Sequence, residues 1–345
     1  MAMKGKLRNQ EERDHLNNNP SLEKNHNFIP KKGTTMNPLT QFKKIPILPL
    51  LKFFSLGAIF ALATSAYAQN LFVSINAVSF NSDGGIFEYT PTGVQSTYAH
   101  GVTSPRGLTF DSVGNLFVAK TLGVHRAPNL GIGTVLKFNL RNRVSTFGGP
   151  ANDFVFEGLA TDIAGNVFVM AQDVNSPALA GTIYKFAPDG TRTIFGTTPG
   201  QSFGLAFDSA GNLFAADGLD QTIYEFAPDG TRTVFAGPNA FTDDEGPVGL
   251  AFDSAGNLFV STEGPEDPSP GQILKFTPTG DESTFATGLT YPRGLAFDES
   301  GNLFVAEDRL FPDGDILTFA LGGGPPTVFA TGLRRPQFLT FGPPR

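Results

Sequence analysis

Residues 204–216 read Gly-Leu-Ala-Phe-Asp-Ser-Ala-Gly-Asn-Leu-Phe-Ala-Ala, and the string returns with small changes at 249 and 294 and in more diverged form at 107 and 158. Its Asn-Leu-Phe-Val centre also stands alone at Asn70. Measured on that Asn, the copies begin at 70, 115, 166, 212, 257 and 302. A self-similarity recurring at roughly 46 residues marks a repeat architecture in which each copy is one supersecondary unit.

Each unit holds four short β-type runs, at 204–207, 213–216, 222–226 and 232–236 in one copy. Asp208-Ser209-Ala210-Gly211-Asn212 separates the first two, with Gly free to take the left-handed conformation that closes a hairpin. Pro228-Asp229-Gly230 separates the last two, with Pro set for the first central turn position and Gly for positive φ. Four antiparallel strands per unit make one propeller blade, so the fold class is all-β, a six-bladed β-propeller over 69–345. Phe recurs at fixed positions, Phe207, Phe214, Phe226 and Phe235 in one copy and Phe252, Phe259, Phe276 and Phe285 in the next. Rings there fill the space between stacked sheets. The ends agree: 337–341 is a first strand with no second, and 70–73 is a second strand with no first. Joined, they close the ring by a C-terminal inner strand pairing with N-terminal strands, which also covers two sheet edges.

The composition fits a turn-rich β protein whose core is filled by Phe: 345 residues, 40 Gly, 26 Pro, 34 Phe, no Trp and only 17% charged residues. With no Cys, neither a disulfide framework nor a thiolate site is available. Residues 69–345 carry fifteen Lys and Arg against twenty-eight Asp and Glu, a net charge of −13. A surface this acidic repels phosphate backbones and argues against nucleic-acid binding.

Residues 1–35 are polar and without hydrophobic period, so they are expected to be disordered, and Met36 is a candidate for the true start. Residues 36–68 read as a signal peptide: Lys43, Lys44 and Lys52, an apolar run over 53–63, then Ala66-Tyr67-Ala68 with cleavage expected after Ala68. The run is shorter than the ~20 residues that span a bilayer. The expectation is a secreted or periplasmic monomer with no membrane attachment after cleavage.

The unit, with Pro-x-Gly-Leu leading into Asp-x-x-Gly-Asn-Leu-Phe-Val-Ala and then Ile-Tyr-Lys-Phe, resembles NHL repeats and the related gluconolactonase and streptogramin-lyase propellers over residues 70–345. The resemblance implies that the Gly-Leu-Ala-Phe strand lines a central channel and the Thr-Val-Phe-Ala strand lies outermost. The Asp-Ser-Ala-Gly-Asn and Ala-Pro-Asp-Gly turns then share one face, the bottom. The variable connections at 120–133, 172–181 and 263–272 lie on the other, where function differs from scaffold.

On that reading the residues just before each Gly-Leu ring the channel mouth: Arg106, Glu157, Phe203, Val248, Arg293 and, for the closing blade, Gln337. Arg293, Gln337 and Arg106 are consecutive around the ring, a donor arc that suits a small carboxylate or phosphate. The alternative is a pairing of Arg106 with Glu157 between neighbouring blades, with Arg293 solvated. Glu157, Asp217, Glu263, Glu307 and Asp308 offer oxygen ligands to a divalent cation, Ca or Mg. Gluconolactonase-like enzymes hold a divalent metal by a Glu, an Asn and an Asp. Here only Glu157 supplies a carboxylate before Gly-Leu, and no such position carries Asn or Asp. Streptogramin lyases place His and Glu on the upper face, whereas 69–345 contains only His100 and His125. The acidic runs at 243–245 and 263–267 read as solvated loop tips. No Gly-x-Ser-x-Gly, Walker loop or His-Glu-x-x-His motif is present. The leading expectation is a non-enzymatic scaffold binding a small molecule or a protein at the top face. The alternatives are a metal-dependent hydrolase or lyase, and a structural cell-surface repeat protein.

Overall fold

The computed structural model describes residues 69–76, 84–122, 131–176, 179–241, 246–263, 270–309 and 313–343. The expected disordered segment and signal peptide, His125 and the acidic stretches at 243–245 and 264–267 lie outside them. The described residues are β-strands joined by turns, with one 3₁₀ turn at Pro238–Ala240.

Three sheets are four-stranded antiparallel meanders in chain order, Pro105–Phe110 to Val144–Asn152, Gly246–Phe252 to Glu282–Thr290 and Pro292–Phe297 to Thr327–Leu333. A fourth is assembled from both ends of the chain: Pro336–Gly342 pairs antiparallel with Asn70–Ile75, which is followed by Gly85–Tyr89 and Gln95–His100. Leu71 faces Phe341 and Val73 faces Leu339 in that seam, so the tail supplies the first strand that the head lacks.

The six sequence copies fall into five sheets, because the copies at 166 and 212 share one seven-stranded sheet. The strand Arg192–Phe207 pairs with Ala180–Phe186 through its first part and with Leu213–Asp217 through its last. Before four other inner strands a residue of positive φ breaks the chain: Ser104 (39°), Asp153 (65°), Tyr291 (48°) and Arg335 (49°). No such residue interrupts 192–207, and the Asp217 carboxylate accepts the Gly200 amide at 2.8 Å where a break would otherwise fall.

The glycine of Gly-Leu explains how the inner strands meet. A methyl on Gly107 would lie 2.5 Å from Leu159 N, one on Gly204 2.5 Å from Val248 O, and one on Gly294 2.6 Å from Phe338 Cα. Each inner strand therefore presses backbone to backbone on the next. The succession closes because Pro336–Gly342 also contacts Pro105–Phe110. The turns at the opposite end of these strands are uniform. In Asp111, Asp162, Asp208, Asp253 and Asp298 one carboxylate oxygen accepts the amide of the Asn four residues on and the other accepts its side-chain Nδ2. These carboxylates are consumed in building the hairpin.

The core lies between successive units and is built on ring triads. Phe168, Phe214, Phe259 and Phe304 each stand edge-on between the outer-strand ring of their own unit and the inner-strand ring of the next, at 5.0–5.1 Å. Phe72 stands likewise between Tyr98 and Phe110, at 5.2 and 4.9 Å. The third-strand residues Phe226 and Phe276 are buried beside them. Truncating one such buried ring to Ala costs about 3–5 kcal/mol.

Candidate functional site

The residues entering the inner strands gather at one mouth of the ring, and their side chains join into one network. Arg106 donates through Nη1 to Gln337 Oε1 at 2.5 Å and holds Nε 3.7 Å from Glu157 Oε2. Gln337 Nε2 donates to Asp308 Oδ2 at 2.7 Å. Arg335 grips Asp308 with Nε and Nη2 at 3.0 and 3.1 Å. Arg293 donates from Nη2 to Glu263 Oε1 at 3.0 Å and brings Nε within 3.0 Å of Asp308 Oδ2. Three carboxylates thus face three guanidinium groups.

Burial sets the strength of these pairs. The side chains of Glu157 and Asp308 are only 4% and 3% exposed, so charges that water would screen meet at low effective dielectric. Burial alone raises the Asp308 carboxyl, but Arg293, Arg335 and Gln337 outweigh it and hold it below the usual carboxylate range. Glu263 goes the other way: burial raises it more than Arg293 lowers it. Burial disfavours the Arg293 cation, yet Glu263, Asp308 and Glu157 together raise its pKa. Three atoms of the network remain incomplete, Arg293 Nε being one. Glu157 Oε2 and Arg106 Nε are buried without a hydrogen-bond partner, each with capacity to spare.

Around the rest of the mouth the ring is apolar. Val248 is buried, and the Phe203 ring lies against Gly218. The donor arc expected from the sequence is therefore brought together, with Arg106, Arg293 and Gln337 each already engaged by a carboxylate or an amide. Arg335 is the member that sequence reasoning missed; its place just before the Pro of the closing strand was the available signal.

The candidate metal ligands separate. Asp217 is fully buried and accepts the amides of Gly200 and Asp220, and burial raises its pKa. Glu307 accepts the Thr290 amide at 2.7 Å and pairs with Arg309, and burial raises it too. Both lock a strand end to the chain entering beside it. Among the described residues no three His, Asp or Glu side chains lie together as a metal would need. His100 is exposed at the end of its strand. Beneath the mouth the inner strands enclose a channel of about 450 Å³, lined by Leu159, Leu205, Leu250 and Leu295 and reaching Gln69 and Phe341 at its far end.

No protein-family model matches the chain, and no curated protein matches its sequence. Solved structures do match. A streptogramin B lyase is similar with a TM-score of 0.54 at 15% identity, covering 79% of this chain and 92% of that one. A virginiamycin B lyase from Staphylococcus aureus is similar with a TM-score of 0.50 at 18% identity, over 69% and 76%. A protein provisionally assigned as a gluconolactonase is similar with a TM-score of 0.51 at 15% identity, over 70% and 89%. At such identities the likeness carries the fold alone, a β-propeller.

Proposed function

We propose that this protein is an exported six-bladed β-propeller that binds a small polar molecule or a protein segment at the channel mouth, without catalysing its conversion. The six copies and the cyclic succession of inner strands support the blade count, with Arg192–Phe207 serving two blades. The signal-like segment ending at Ala68 supports export to a periplasmic or extracellular space.

One observation carries the binding reading: the buried charge network is balanced, yet it leaves Glu157 Oε2 and Arg106 Nε, 3.7 Å apart, and Arg293 Nε without a hydrogen-bond partner. A ligand offering both a donor and an acceptor completes them, while Phe203 and Val248 supply an apolar wall opposite. Pockets that fix a ligand through few polar groups against an apolar lining have this form. Thermal-shift screens of neutral sugars, sugar acids and amino acids test it. At least one class raises the melting temperature of the native protein, and the rise disappears in Glu157→Gln. A flat response of the native protein across the panel overturns the reading.

The lyase and lactonase neighbours favour the second reading, a metal-dependent hydrolase or lyase. It draws no support from the donor set, since the acidic side chains pair with Arg or with backbone amides. Metal analysis of the dialysed protein, with lactone hydrolysis measured for native and Glu157→Ala protein, separates the two. Stoichiometric metal and activity lost in the variant reverse the ranking.

A further inference from the structure

In five units the residue two beyond the inner-strand Leu is a ring: Phe110, Phe207, Phe252, Phe297 and Phe341 each pack edge-on, at 4.9–5.1 Å, against the second-strand Phe of the preceding unit. In the sixth the residue is Thr161. Its hydroxyl donates to Phe110 O at 2.8 Å and lies 3.1 Å from Thr109 Oγ1, so it bonds to the preceding inner strand rather than to a ring. Phe117, the second-strand Phe of that junction, keeps among the described residues only the outer-strand ring Phe147, at 4.8 Å.

A cavity of about 240 Å³ opens at this junction, lined among others by Phe117, Phe147, Lys137, Val113 and Ile163. Two of these walls, Val113 and Ile163, are apolar side chains exposed to solvent, 66% and 102%. For scale, an enclosed apolar cavity of about 150 Å³ takes up benzene; here Asp111, Ser112, Asn115 and Lys137 make part of the wall polar. The Lys137 ammonium stands 5.2 Å from the Phe117 ring centre and 5.7 Å from that of Phe147. The same Lys-over-Phe pair recurs as Lys185 on Phe168 and Lys275 on Phe259, so this cation is held in place by the scaffold. The Asp111 carboxylate on the wall already accepts three hydrogen bonds from its own turn.

We infer that this junction is a second binding site, on the face opposite the network at the mouth, for a small aromatic acid. The ring takes the place left by the missing Phe, edge-on to Phe117, and the carboxylate meets the Lys137 ammonium at the opening.

The probes are 4-fluorobenzoate and the uncharged 4-fluorobenzyl alcohol, followed by fluorine NMR line broadening on the full protein. A ligand of this size binds with a Kd of about 1 mM, and the Val113 and Ile163 methyl resonances shift with it. Thr161→Phe restores the ring and abolishes broadening of both probes. Lys137→Met weakens 4-fluorobenzoate about tenfold and leaves the alcohol unchanged. Native protein that broadens neither probe at ten times that Kd, or folded Thr161→Phe that binds as the native protein does, overturns the site. Should Thr161→Phe not fold, Lys137→Met decides alone, and equal 4-fluorobenzoate binding by that variant overturns the assignment.

Discussion

Replacing Phe259 by Leu and, separately, Phe117 by Leu compares a complete ring triad with an incomplete one. Both rings are buried, at 4% and 1% exposure, so the lost apolar area is nearly the same. Both carry a third-strand Lys above the ring, at 5.4 and 5.2 Å, so that contribution cancels. The difference lies in the neighbours: Phe259 has Phe285 and Phe297, each at 5.0 Å, whereas Phe117 has Phe147 alone. An aromatic pair contributes about 0.5–1.5 kcal/mol beyond area burial, so Phe259→Leu is expected to cost about 1 kcal/mol more than Phe117→Leu. Urea unfolding followed by far-UV circular dichroism reads this difference from midpoints at a common slope. In a Thr161→Phe background the Phe117→Leu cost rises to match that of Phe259→Leu. Equal costs in the native background, to within about 0.5 kcal/mol, refute the triad argument.

Three further outcomes follow from the same geometry. Deleting residues 335–345 removes the inner strand that pairs with Asn70–Ile75 and exposes two sheet edges, so the yield of folded protein falls and the cooperative melt is lost; a truncated protein melting like the full chain ends the ring-closure reading. Asp308→Asn leaves Arg293 and Arg335 poorly compensated in a buried place and costs about 3 kcal/mol at neutral pH. Because the folded-state pKa of Asp308 is lowered, its contribution is complete above the ordinary carboxylate pKa and disappears as pH falls through the folded value, so the gap in melting temperature between native and variant closes on acidification; a gap independent of pH contradicts the pairing. Gly204→Ala drives a methyl into Val248 O and costs about 1–3 kcal/mol, whereas Gly322→Ala, in open space, leaves the urea midpoint unchanged; equal effects remove the reason given for the glycine ring.

The scaffold is legible in the columns of the repeat because each column answers one physical demand. Gly appears where inner strands touch, Phe where units stack, and Asp with Asn where a carboxylate must satisfy two turn donors. Even the closing seam is readable, since a strand lacking its partner at each end of the chain leaves few alternatives. The continuity of Arg192–Phe207 was not readable: Pro199-Gly200 looks like a break in sequence, and groups distant in sequence hold that stretch extended, the Asp217 carboxylate on the Gly200 amide and Ala180 paired with Gln201. The mouth was half legible. Arg106, Glu157, Arg293 and Gln337 follow from their place before Gly-Leu or its equivalent, but their partners Asp308 and Glu263 come from second-strand ends, where sequence spacing gives no direction for a side chain. Thr161 was in plain view as the one polar residue in a column of Phe, and it passes unnoticed when a repeat is read only for what it shares.

The positions of backbone strain bear on which face works. Ser104, Tyr291 and Arg335 hold positive φ immediately before a Pro, a place where the following ring favours extended backbone; Asp153 does so before Phe154. Such residues cost about 1–2 kcal/mol each. Their carbonyls show what the conformation achieves at three of the four: Tyr291 O accepts the Asp308 amide, Arg335 O the Asn76 amide and Asp153 O the Val174 amide, each just past the end of a second strand. The inner strands they introduce are those carrying Arg106, Glu157, Arg293 and Gln337, while the strand carrying Phe203 has no such residue. Four strained entries on one arc, coinciding with the polar half of the mouth, indicate that placing those side chains is worth more to this protein than relaxed backbone. Relaxing one entry by Tyr291→Gly, which tolerates the same φ, is expected to keep the fold and the network together, whereas Tyr291→Val, which does not, is expected to displace Arg293 and weaken any ligand of the Glu157 site along with stability.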